Sequence, residues 1–157
     1  MIAAFSQADI RVLNQLSVLN PESKRELHDY LEFMVARQCR NEFKSQLLNN
    51  NWLFNNLLAL TNLNDNGENY CEEVLERLRR MKGLCQSVFE QLTEKYGGLL
   101  GEIKGYEGIA EGMMNSLLQI QEAAQAGDPK RTKNEILDMF ESYKSAGRGN
   151  RPKVRAM

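Results

Sequence analysis

The single histidine, His28, stands in an i,i+4 relation to Glu32, the spacing at which an imidazole and a carboxylate on one helix face can share a proton. No nucleophile or metal ligand accompanies them. The three cysteines, Cys39, Cys71 and Cys85, form no Cys-x-x-Cys pair, and Glu72, Glu73 and Glu76 lack the histidines of a Glu-x-x-His bundle site. Cys85 falls within an apolar stripe, where burial raises a thiol's pKa and suppresses its reactivity. The expectation is a protein that is not an enzyme, with no catalytic residue, no cofactor, no metal and no small-molecule substrate.

Three other patterns could carry binding. Gly98, Gly101, Gly105, Gly108 and Gly112 recur at spacings of three and four. In a helix interior each glycine costs about 1 kcal/mol relative to alanine, so such a ladder implies an irregular segment, a second backbone packed close to the bare face, or a partner groove. Close packing is the favoured reading, and the five glycines are candidate partner-binding positions. The spacing matches neither a dinucleotide fingerprint nor a P-loop, and no strand precedes it. Asn62 to Glu73 resembles an EF-hand calcium loop, with Asn62, Asn64 and Asn66 in the first, third and fifth places, Gly67 in the sixth and Glu73 in the twelfth. Neutral amides replace its carboxylates, so the window reads as an Asn/Gly helix connection. Lastly, Arg148, Arg151, Lys153 and Arg155 form a basic tail, able to neutralise phosphates but with no aromatic for base stacking.

The chain has 157 residues, 42% apolar and 26% charged, with a net charge of −1. That balance excludes a generic polyanion binder but conceals an asymmetry. From Lys144 onward there are five basic residues and no acid, leaving 15 basic against 21 acidic residues before it. Unpaired cysteines and an N-terminus without a secretory pattern predict a reduced, cytoplasmic setting. The uncharged run Ser45–Asn64 contains seven asparagines, whose burial in hydrocarbon would be prohibitive, so no membrane span is expected.

Helical periodicity dominates and predicts an all-α fold. Ser6 and Asp9 cap a first short helix ending near Asn20, and Asn20-Pro21-Glu22 opens a second, with Leu27, Leu31, Met34, Val35 and Phe43 as its expected buried side. Nine asparagines between residues 49 and 69 predict a break near Asn49–Asn51, a short apolar helix to about Thr61, and a turn. Cys71, Val74, Leu78, Met81, Cys85, Val88 and Leu92 then alternate spacings of three and four, a coiled-coil-like seam. A second stripe follows Gly97-Gly98: Leu99, Ile103, Tyr106, Ala110, Met113, Leu117, Ile120 and Ala124. These two predict a long antiparallel hairpin over 69–125, either intramolecular or paired between copies. Smaller helices over 1–64 and 129–146 flank it, the last carrying Ile136, Leu137, Phe140 and Tyr143. Together they make one helical domain, 1–147, followed by a flexible basic tail, 148–157.

Residues 9–40 resemble a helical appendage that follows the helix-turn-helix domain of many bacterial regulators, through Leu13, Leu16, Leu19-Asn20-Pro21-Glu22, Leu27, Asp29-Tyr30-Leu31 and Phe33-Met34. The resemblance implies a bacterial cytoplasmic protein and an element concerned with oligomerisation rather than DNA reading. The favoured function is accordingly a non-enzymatic interaction or regulatory protein acting through apolar helix faces on a protein partner or on itself. Two alternatives remain open: a nucleic-acid-associated accessory factor using the tail, and a helical-bundle enzyme with no recognisable motif. The accessory-factor alternative is tested by salt titration on duplex DNA. If the tail carries binding, log affinity falls with log salt at a slope no steeper than about −4.5, and deleting Arg148–Met157 abolishes it. Undiminished binding after deletion would move the site into the acidic body.

Overall fold

Local side-chain chemistry sets most of the helix boundaries. In the computed structural model, which describes residues 4–99 and 107–148, the Asp9 N–H donates to Ser6 Oγ at 3.2 Å and the Ser6 N–H donates to Asp9 Oδ2 at 2.8 Å. This reciprocal capping box opens α1, Gln7–Val18. Asn20 Oδ1 accepts from the Ser23 N–H at 2.8 Å, and Pro21 occupies the first turn of α2, Pro21–Phe43. A π-helical turn, Lys44–Leu48, extends α2 before Asn50 caps α3, Asn51–Thr61. The expected break near Asn49–Asn51 and the end at Thr61 both stand.

After a connection over residues 62–69 come α4, Tyr70–Tyr96, α5, Glu107–Gln125, and α6, Pro129–Arg148. Gly127 at φ +68° closes α5 in a Schellman motif, its N–H bonded to Ala124 O and that of Asp128 to Ala123 O. Asp128 then caps α6 through its carboxylate, which accepts from the Arg131 N–H at 3.1 Å. Among the described residues every regular element is helical, as the periodicity predicts.

The core forms around α4. Val74, Leu78, Met81, Cys85, Val88 and Leu92 are buried, and α4 touches α2, α3, α5, α6 and the π-helical turn. The seam thus lies within a multi-helix core, against more neighbours than one hairpin partner. Met113, Leu117, Ile120 and Ala124 of α5 are buried against it, and Lys82 Nζ donates to Gln121 Oε1 at 2.7 Å along the same contact. Cys71, expected in the seam, is only half-buried, and its neighbour Tyr70 is buried instead. Leu99 is exposed, whereas Ile103 and Tyr106 lie outside the described residues. From α6, Ile136, Met139 and Tyr143 enter the core, with Leu137 turned to solvent.

Two buried hydroxyls bond backbone carbonyls. Thr132 Oγ1 donates to Asp128 O at 2.7 Å within α6. The Tyr143 hydroxyl donates to Leu47 O at 2.6 Å, with Asn50 O also 3.2 Å away, satisfying carbonyls left where the π-helical turn breaks the helical ladder. Burial pushes this phenol up to about 12, so it stays a donor through the ordinary pH range. At the other end of the core, Glu42 Oε1 accepts from Lys95 Nζ and from the Tyr96 hydroxyl, each at 2.7 Å, fastening α2 to the last turn of α4. Those two bonds hold the Glu42 carboxyl below the usual carboxylate range.

Leu78 is fully buried at the middle of the seam. Leu78→Ala should therefore cost about 2–5 kcal/mol in denaturant unfolding. A midpoint unchanged from the parent would remove Leu78 from the core.

Candidate interaction surface

Helix α2 buries different faces in its two halves. Its C-terminal half packs on the body through Ala36, Cys39 and Phe43. Counting back from Ala36 by the helical intervals of four, seven, eleven and fourteen gives Glu32, Asp29, Arg25 and Glu22, so the same face becomes wholly charged. All four are exposed. An apolar stripe of Leu27, Tyr30, Leu31 and Met34 occupies the N-terminal half instead, rotated by roughly 160° at about 100° per residue. The body covers the first face and leaves the second in solvent. Leu31 is 47% exposed, Tyr30 59% and Met34 38%.

This corrects the expected buried side of α2. Of Leu27, Leu31, Met34, Val35 and Phe43, only Phe43 is buried, Leu27 and Val35 are half-buried, and Leu31 and Met34 are exposed. The error came from merging two stripes that lie on opposite faces. Helix α1 continues the pattern, with no buried residue and with Ile10 and Leu13, one turn apart, each about half exposed. Nine of the fifteen exposed large hydrophobics among the described residues lie between Phe5 and Met34. The other six are scattered over α3 to α6 and the end of α4, as single apolar side chains commonly are. Concentration in one arm, by contrast, is the pattern that interaction surfaces show. A shallow groove of about 540 Å³ runs along the outward face, lined by Leu31, Met34, Val35, Gln38, Asn41 and Ser45.

The residues singled out from sequence are placed differently. His28 and Glu32 are exposed on the charged face of α2. Cys85 is buried in the core, its thiol pushed up to about 11 by burial. In the Asn62–Glu73 window, Asn64 Oδ1 accepts from the Asn66 N–H at 3.1 Å, Asn64 O accepts from the Gly67 N–H, and Lys133 Nζ reaches Asp65 at 3.4 Å, so the window links α3 to α4 and pins to α6. Of the basic tail, Arg148 is the last residue of α6, while Arg151, Lys153 and Arg155 lie outside the described residues.

Of the glycine ladder, Gly101 and Gly105 also lie outside the described residues. Gly98 follows α4 in a turn, and Gly108 and Gly112 are on α5. A Cβ at any of these three would meet nothing within 4 Å, so the close packing expected from within the chain does not occur there. Gly108 and Gly112 instead border an open groove of about 370 Å³ between α5 and α6, beside Leu48, Met139 and Tyr143. Compared with protein-family profiles, with curated proteins and with solved structures, the chain finds no match.

Open space around a helical glycine fixes the sign of its substitution. Gly108→Ala and Gly112→Ala should each raise stability by several tenths to about 1 kcal/mol in thermal unfolding. Gly97→Ala should lower it, because its Cβ would stand 2.5 Å from Thr93 O. Loss of stability at Gly108 or Gly112 would mean that a second backbone does approach α5.

Proposed function

We propose that the chain is a non-enzymatic helical interaction or regulatory protein. Its body, from the second half of α2 to α6, is a scaffold whose α4 and α5 form the long antiparallel, coiled-coil-like hairpin. Its arm, α1 and the first half of α2, supplies the apolar face that associates. One observation carries this reading: the apolar stripe of α2 changes face where the helix leaves the body. A stripe left free by its own fold is maintained at a solubility cost unless another surface covers it. The character of residues 9–40 agrees with this and suggests a bacterial, cytoplasmic setting.

The arm also accounts for what the rest of the molecule lacks. Lys24 and Glu26, of opposite sign, flank the apolar stripe of α2, as a polar rim flanks an apolar centre. Replacing Leu13 and Leu31 together by Glu should leave helical content and melting temperature near those of the parent, since both are exposed and no core contact is lost. In native extract, the crosslinked species formed by the full-length chain should disappear in this variant. If every associated species persisted, the arm would not be the interaction surface.

A further inference from the structure

An arm that associates must have an occupant, and its charges narrow the choice. Beside the stripe of α2 stand Lys24 on one flank and Glu26 and Arg37 on the other, whereas Glu22, Arg25, Asp29 and Glu32 lie on the opposite face. A strongly charged partner would select an arm of one sign. A surface that meets its own copy must be complementary to itself, with both signs beside the stripe. We propose that α2 pairs antiparallel with α2 of a second copy of this chain, about a two-fold axis between Tyr30 and Leu31. The inference rests on reading the arm as the interaction surface.

That axis makes the stripe self-complementary. It sets Leu27 against Met34 of the partner copy and Tyr30 against Leu31, so each large side chain meets another. The flanks agree. Glu26 and Arg37 are eleven residues apart on α2, three turns, and therefore project from one flank of the stripe. In an antiparallel pair like flanks face each other, which brings Glu26 of each copy within about two residues, or 3 Å, of the level of Arg37 of the other. A parallel in-register pair would leave Glu26 of one copy about 16 Å along the axis from the level of Arg37 of the other. Within the chain neither residue enters an ion pair among the described residues, and Arg37 lies over the Phe33 ring, 5.9 Å from its centroid, at the edge of the same stripe.

Area brings in α1. Four half-exposed side chains of this size offer roughly 300–400 Å², about half of the ~800 Å² per partner of a standard interface. Phe33 of α2 and Ile10 and Leu13 of α1, each about half exposed, are further apolar supply, so we take the contact as one of four helices, two from each copy.

The purified full-length protein is examined by sedimentation velocity across the micromolar range. The expected result is a reversible dimer, lost in Leu31→Glu without change in melting temperature. Glu26→Arg and Arg37→Glu should each weaken it by about tenfold, because two-fold symmetry doubles every change, and the double variant should restore it. A monomer at every concentration, a dimer indifferent to Leu31→Glu, or a double variant no tighter than the singles would overturn the proposal. A monomer in purified form whose extract complexes still depend on Leu13 and Leu31 would overturn self-pairing alone, whereas complexes indifferent to both would overturn the reading beneath it.

Discussion

The structure depends on one constraint, that α4 carries a single unbroken apolar stripe with no polar residue to interrupt it. A helix of 27 residues spans about 40 Å, and from Val74 to Leu92 its stripe must be covered along its length. No single neighbour does so. α5 lies along it with Met113, Leu117 and Ile120, α2 reaches the C-terminal end through Phe43 and the Glu42 cluster, and α3 and α6 pack on it as well. The arrangement of the other helices is the solution to that covering problem, which is why their buried residues form one contiguous cluster.

Covering a straight stripe with a chain that must turn back on itself creates backbone difficulties, and polar side chains are placed where those arise. The clearest is the passage from α2 to α3. A π-helical turn disrupts the i to i−4 ladder, and the Asn49 N–H reaches back to Lys44 O at 2.9 Å. Carbonyls thereby exposed inside the core are met by the Tyr143 hydroxyl from α6, nearly a hundred residues away. The buried phenol therefore links the position of the last helix to the geometry of an early break, alongside the apolar contact of α6 with α3, where the Phe54 and Phe140 ring centroids stand 5.6 Å apart.

Much of this was legible in sequence, for identifiable reasons. The boundaries at Ser6, Asn20-Pro21 and Asp128-Pro129 were readable because capping is local, decided within four residues. The α4 seam was readable because its period has no miss. The Tyr143 contact carried no signal, since nothing nearby in sequence announces a carbonyl at Leu47. The glycine ladder shows a related limit: spacing along one helix reports which residues share a face, but not what stands opposite. At Gly108 and Gly112 what stands opposite is open space.

Helix α2 carries two apolar stripes whose mismatch is itself visible in the sequence. Leu27, Leu31 and Met34 and then Ala36, Cys39 and Phe43 each keep helical spacing, and a helix with either set alone would be an ordinary amphipathic one. Joined, they are out of phase by nearly half a turn, and the charged residues Glu22, Arg25, Asp29 and Glu32 fill the earlier positions of the body-facing line. One neighbour cannot cover both faces of a straight helix. A phase change of this kind requires either a break in the helix, to rotate the second stripe inward, or a second neighbour on the far side. The break is absent, because α2 runs regular from Pro21 to Phe43 and the π-helical turn comes only afterwards. Continuity of the helix through the phase change is thus what directs the second stripe outward, and it makes the first half of α2 a direct extension of the body, presenting its face without first ordering a loop.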